Sequence, residues 1–194
     1  VPIATESLET WQKSIDLNLT SCFLATRTIG EAMLARKQGG RIINIASISA
    51  LIANRGIGGR DYETSKAAVL HFTRCAAVDW APHGVTVNAI APGARTRMTA
   101  GLGMAVIDEP DAGAFDAFAA ENVSPLVVWL GSNDSAAVTG QVFNVAGGRI
   151  SVAEGWRAGP SVDKEDRWDP AELAGVVPDL VARAAPPPDM FGNA

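Results

Sequence analysis

A chain of 194 residues with 47% hydrophobic content has the size and composition of one globular domain able to bury its own core. Its formal net charge of -5 argues against a nucleic-acid partner or an anionic membrane surface. No apolar run approaches the roughly 20 residues of a spanning helix, so no membrane segment is expected.

The first residues, Val1-Pro2-Ile3-Ala4, carry no basic or apolar signal region and no initiator methionine. They are expected to lie inside a longer chain. Thr5 to Lys37 reads as one helix, because Leu8, Trp11, Ile15 and Leu19 recur at three- and four-residue spacing and Phe23, Leu24, Ile29 and Met33 continue the series. Gly39-Gly40 ends it. The run Arg41 to Ala46 is short, β-branched and nearly all apolar, as suits a strand buried on both faces of a parallel sheet.

A glycine-rich loop, Asn54 to Asp61, leads to a second amphipathic helix, Tyr62 to Trp80, stopped by Pro82 and Gly84. Val85 to Ile90 is a second strand, closed by Pro92-Gly93. Met98 to Phe118 carries little pattern and is expected to be a flexible cover with one short helix. Glu121 to Gly131 is helical, and Gly140 to Val145 is a third strand ended by Gly147-Gly148. From Ser151 onward the tail is polar and proline-rich, with one signalled helix. There Asp169 can cap, Pro170 fits the first helical position and Glu172 can reach back to the cap backbone, while Ala185-Pro186-Pro187-Pro188 ends it.

The alternation of helix and strand predicts an α/β fold, the C-terminal portion of a doubly wound, Rossmann-like parallel sheet over residues 1–150, followed by a C-terminal extension over 151–194. Three strands are few for such a sheet, so further partners are expected upstream. Cys22 and Cys75 lie within helical segments and read as small buried hydrophobes in a reducing, cytoplasmic setting. His71 and His83 have no carboxylate motif nearby, so no metal site is expected.

Tyr62 and Lys66 lie four apart at the start of a helix and project on one face. Tyr62 is the single tyrosine of the chain. A phenol titrating near pH 10 is a poor acid or base at neutral pH, and a neighbouring ammonium brings it toward useful behaviour. Ser47 follows the strand Arg41 to Ala46, where open α/β sheets place their ligands, and its hydroxyl can donate to a substrate oxygen. Ser49 is the rival for that role.

The runs Gly40 to Ser47, Tyr62-Glu63-Thr64-Ser65-Lys66 and Val87 to Gly93 together resemble the short-chain dehydrogenase/reductase family. Ile15 to Leu19 resembles that family's helix with an active-site Asn, and Gly140 to Gly148 its final strand. The resemblance implies an NAD(P)-dependent enzyme with Tyr62 as acid/base. It implies that Lys66 lowers the tyrosine pKa and grips the nicotinamide ribose, and that Ser47 polarises the substrate oxygen. Asn18 would bend its helix and hold a water that passes protons to Lys66. Pro92 and Gly93 would line the nicotinamide, and Thr96 would reach its amide or the pyrophosphate. The cofactor the resemblance implies is NAD or NADP, with NAD preferred.

The family's glycine-rich loop lies outside this sequence, and roughly 80 to 100 preceding residues are implied by the two-half architecture of the fold. The gap from Ser47 to Tyr62 is longer than the family's usual one, which Ser49 would restore, and Thr96 comes one residue early. Ala91 to Thr99 and Ser124 to Leu130 resemble the hydroxyacyl-CoA dehydrogenase domain of type-2 multifunctional enzymes, whose bacterial relatives act on acyl-CoA or steroids. The expected substrate is therefore a small molecule, a 3-hydroxyacyl thioester or a hydroxysteroid, with Arg95 and Arg97 as candidates for a CoA phosphate. The family resemblance and the surplus apolar positions of the first two helices imply a homodimer or homotetramer. The alternative is a fragment without the dinucleotide site, non-catalytic or serving as a pairing module.

Overall fold

The computed structural model describes residues 2–54, 59–100, 110–111 and 113–186. They divide into one compact unit, Val1–Ala153, and a second, Glu154–Ala194. In the first unit, strand β1 (Gly40–Ile45) pairs in parallel with β2 (Val85–Gly93), and β2 in parallel with β3 (Val142–Ala146). Strand β4 (Arg149–Val152) closes the order β1-β2-β3-β4 by an antiparallel hairpin with β3.

β2 is buried from Val85 to Ala91, as expected for a central strand covered on both faces. Its alternating side chains serve two cores. Val87 packs with Ala76 and Ala77 of helix α3 (Arg60–Trp80), and Ala89 with Val69 and Leu70 of the same helix. Ile90 points to the other face, where it meets Leu126 and Leu130 of α5 (Ser124–Gly131). Helices thus cover both faces of the sheet, the doubly wound arrangement the alternation predicts.

The helix expected over 5–37 is three pieces. Residues Ile3–Thr5 form a separate 3-10 turn, and the Ser7 hydroxyl accepts from the Thr10 amide to start α1 (Leu8–Ile15). From Asp16 to Thr20 the backbone widens to a π turn, in which the Ser21 amide donates to the Asp16 carbonyl five residues back. Helix α2 (Ser21–Arg36) follows, and Lys37 in the left-handed region (φ 54°) terminates it. Helix α3 starts two residues before Tyr62, with Gly59 at its N-cap.

β2 runs on through Pro92, which the sequence placed after the strand. Backbone groups of successive strand residues face alternate neighbours, and the Ile90 carbonyl accepts from Ala46 on the β1 side at 2.8 Å. Pro92, two residues on, faces the same side, beyond the end of β1, so its missing N–H breaks no ladder bond. β4 was not expected as a strand, and the tail drawn from Ser151 onward begins within it. The two glycines before it instead form a two-residue hairpin turn, with Ala146 opposite Arg149 and Gly147 at φ 55°.

Helix α4 (Arg97–Ala100) lies at the start of the Met98 to Phe118 segment. Most of the segment expected to be a flexible cover, residues 101–109 and 112, lies outside the described residues, as do 55–58 of the glycine-rich loop. In the second unit the Asp169 carboxylate accepts from the Ala171 amide, and the Glu172 carboxylate accepts from the Asp169 amide. Those reciprocal bonds form on a turn ahead of α6 (Leu173–Arg183), whose N-cap is Glu172 without a side-chain cap, so Pro170 lies before the helix and not at its first position. Among the described residues no helix is long and apolar enough to cross a membrane. Cys22 is half-buried against the core, but Cys75 is exposed on the outer face of α3, contrary to its expected burial.

Candidate active site

The C-terminal end of β1 and the first two turns of α3 bring Ser47, Tyr62 and Lys66 into one region. The Lys66 ammonium donates to the carbonyl of Ile45, the last residue of β1, at 2.9 Å. It stands 5.8 Å from the Tyr62 ring centroid. One of its three protons is thus used on the backbone, which leaves two for other acceptors. Burial pushes the Lys66 ammonium below the usual lysine range, and the Cys22 thiol beside it acts the other way. Tyr62 is 37% exposed, so it is open to solvent and to a substrate.

Ser47 follows in extended conformation (φ -162°), and its hydroxyl oxygen accepts from the Ser49 amide at 3.1 Å. That bond occupies a lone pair and leaves the hydroxyl proton available for donation. Asn18 sits at the centre of the π turn Asp16–Thr20, half-buried, and this turn packs against α3. The π turn is the local feature that separates the faces of α1 and α2, and such turns concentrate at functional sites.

Pro92 and Gly93 end β2, next to the end of β1. A Cβ at Gly93 would lie 3.0 Å from the Ala146 Cβ of β3, tighter than nearly all such contacts, so the position favours glycine. Thr96 is exposed and serves α4 locally. Its amide donates to Thr99 Oγ1 at 2.7 Å, and its hydroxyl lies 3.2 Å from the same atom. Among the described residues no group of three His, Cys, Asp or Glu side chains is placed to hold a metal ion.

Several groups here escaped sequence reasoning. The Asp61 carboxylate, buried just ahead of Tyr62, accepts from the Ser14 hydroxyl of α1 and so ties the start of α3 to the helix that leads into Asn18. Arg95, read from sequence as a candidate for a phosphate, forms an ion pair with Asp116, and its amide donates to the Phe118 carbonyl at 2.6 Å. These contacts join positions 21 and 47 residues apart, beyond any local periodicity.

The family model described as Enoyl-(Acyl carrier protein) reductase matches residues 1–149. A 3-oxoacyl-[acyl-carrier-protein] reductase of Synechocystis sp. is 42% identical over 154 residues, which cover 74% of this chain and 57% of that protein. A 3beta-hydroxysteroid dehydrogenase of Eggerthella lenta is 36% identical over 155 residues, covering 76% of this chain and 58% of that one. The crystal structure of a short chain dehydrogenase from Mycobacterium avium superposes with a TM-score of 0.80 at 44% identity, covering 95% of this chain and 61% of that one. The chain therefore spans a little over half the length of the curated relatives it matches. With the parallel sheet, the Tyr62–Lys66 pair and these matches together, the chain belongs to the short-chain dehydrogenase/reductase family.

Proposed function

We propose that the protein carrying this chain is an NAD(P)-dependent oxidoreductase that interconverts a secondary alcohol and a ketone. The observation that carries this reading is the Lys66 ammonium held on the Ile45 carbonyl, one helical turn from an exposed Tyr62 and beside the Ser47 loop. The residues fit a nicotinamide cofactor. Lys66 keeps two protons for a ribose, and Pro92-Gly93 present little side-chain bulk at the strand end. When bound, the cofactor supplies or accepts the hydride.

The protein's own groups handle the proton. In ketone reduction the Tyr62 phenol donates to the carbonyl oxygen, and the Ser47 hydroxyl donates a hydrogen bond to the same atom. The Lys66 cation stabilises the phenolate left behind, and Asn18 holds the water that returns a proton toward Lys66. NAD is favoured over NADP. For the substrate, we favour a 3-hydroxyacyl thioester over a hydroxysteroid, in keeping with the Synechocystis relative's acyl-carrier-protein substrate. Because Arg95 is paired with Asp116, Arg97, exposed on α4, is the better candidate for an anionic thioester handle.

The apolar outer face of α2 and α3, with Phe23, Leu24, Ile29 and Val78 exposed, is read as the pairing surface of a homodimer or homotetramer. Val78 is 76% exposed, so Val78→Asp should shift the light-scattering mass toward the monomer while the folded circular-dichroism spectrum is kept. The activity is tested in the enzyme that carries this chain together with its dinucleotide-binding half. Tyr62→Phe removes the transferable proton and little volume. It should lower kcat by about 10²- to 10⁴-fold with cofactor affinity retained. Wild-type turnover in the folded variant would exclude Tyr62 as the acid/base.

A further inference from the structure

We infer that Asn54 and Glu63 form a positioning clamp that sets the Ser47 hydroxyl against Tyr62, an inference that rests on the reading of Ser47 and Tyr62 given above. The two groups come from different elements, Ser47 from the loop after β1 and Tyr62 from α3. Hydrogen bonds, joined through the covalent frames of Ser49 and Glu63, link the Ser47 loop to the residue after Tyr62. Ser47 Oγ accepts from the Ser49 amide at 3.1 Å, and Ser49 Oγ accepts from Asn54 Nδ2 at 3.0 Å. Asn54 Nδ2 and the Asn54 amide both donate to Glu63 Oε1, at 2.9 and 3.1 Å. Glu63 is the residue that follows Tyr62.

The clamp is also closed from the other side. Arg60 pairs through one terminal nitrogen with Glu63 Oε2 and through the other donates to the Asn54 carbonyl at 2.7 Å. Glu63 is only 8% exposed, and a buried carboxylate is costly unless its oxygens are satisfied. Both are. Burial pushes its carboxyl up, but the bonds from Arg60 and Asn54 hold it below the usual carboxylate range, so the clamp is charged at neutral pH.

The arrangement also bears on the rivalry between Ser47 and Ser49. Ser49 Oγ accepts from Asn54 and lies within the clamp, while Ser47 Oγ accepts from a backbone amide; each keeps its hydroxyl proton, and Ser47, which follows β1, is the hydroxyl assigned to the substrate oxygen. Asn54, Glu63 and Ser49 are positioning residues, since they act through Ser47.

The test is a double-mutant cycle on ketone reduction by the complete enzyme, with saturating cofactor. Asn54→Ala and the milder Ser49→Ala are each made in the Ser47 and the Ser47→Ala background. In the Ser47 background each should lower kcat by about tenfold, as a small displacement of a reacting group does. In the Ser47→Ala background the loss should fall to less than about twofold, because there is no hydroxyl left to misplace. Glu63→Gln, which still accepts from Asn54, should keep most of the activity. Equal losses in both backgrounds would overturn the clamp and mark these residues as general supports of α3. Loss in Ser47→Ala alone, with Asn54→Ala and Ser49→Ala at wild-type turnover, would overturn the clamp while leaving Ser47 in its role. Wild-type turnover in Ser47→Ala would overturn the underlying reading of Ser47 and the clamp with it.

Discussion

Thr73 offers a test of the core beneath the site. Its side chain is fully buried in α3, where its hydroxyl donates to the Val69 carbonyl at 2.8 Å and accepts from Asn44 Nδ2 at 3.0 Å. Asn44, on β1 and 7% exposed, in turn accepts from Thr26 of α2 at 3.4 Å. One buried amide therefore joins the strand to both helices on that face. Thr73→Val is nearly isosteric, so it opens no cavity and its cost is electrostatic. The bond back to Val69 contributes little, because the helix already uses that carbonyl. The Asn44 donor left without a partner costs about 1–3 kcal/mol, and we take about 2. For a chain of this length that is a fall of about 4–8 °C in melting temperature. Thr73→Ser, which keeps the hydroxyl, should lose markedly less. The assay is thermal unfolding followed by circular dichroism, with urea titration as a check on cooperativity. An unchanged melting temperature in Thr73→Val would refute the claim that the Asn44 amide depends on this hydroxyl.

The same chemical change should have the opposite sign at Thr86. Its buried hydroxyl has no hydrogen-bonding partner among the described residues, so Thr86→Val should raise stability by about 1 kcal/mol in the same melts. The acid limb of stability should depend on Glu63. Its carboxyl titrates lower in the folded chain than in the unfolded one, so the unfolded chain binds more protons between the two values. The contribution is then complete above the ordinary carboxylate range and is lost as pH falls through the depressed folded value. Melting temperature plotted against pH should therefore fall less steeply in acid for Glu63→Gln than for the wild type, and equal slopes would count against it.

Much of the sheet was legible because its signals are local. The β-branched runs around Ile43 and Val87 are short and uninterrupted, and Asp169-Pro170-Ala171-Glu172 spells out reciprocal bonds that the structure forms. The pair Tyr62–Lys66 was legible for the same reason, since one helical turn joins the two positions. What stayed hidden depends on distance. Ser14 reads as a surface serine until Asp61 arrives from 47 residues away. The contact between Asn54 and Glu63 stayed hidden as well, because nothing local says that Glu63 faces inward. β4 carries an alternating pattern, yet Ile150 and Val152 are 54% and 53% exposed, so the strand exists by pairing with β3 and not by burial. The π turn was blurred because one widened turn barely disturbs a hydrophobic period averaged over three others.

That widened turn gives the chain one place where its length is forgiving. A π turn holds one residue more than the α-helical turn it replaces, so removing a single residue between Asp16 and Thr20 would let α1 and α2 run on as one helix with their phase nearly kept. Ser14 would stay on the side of Asp61, and the start of α3 would keep its tether. The same deletion within α2 would turn everything before it by about 100° and swing Ser14 off Asp61. A reading-frame-preserving deletion scan through α1 and α2 would therefore find its most tolerant positions for folding at these five residues.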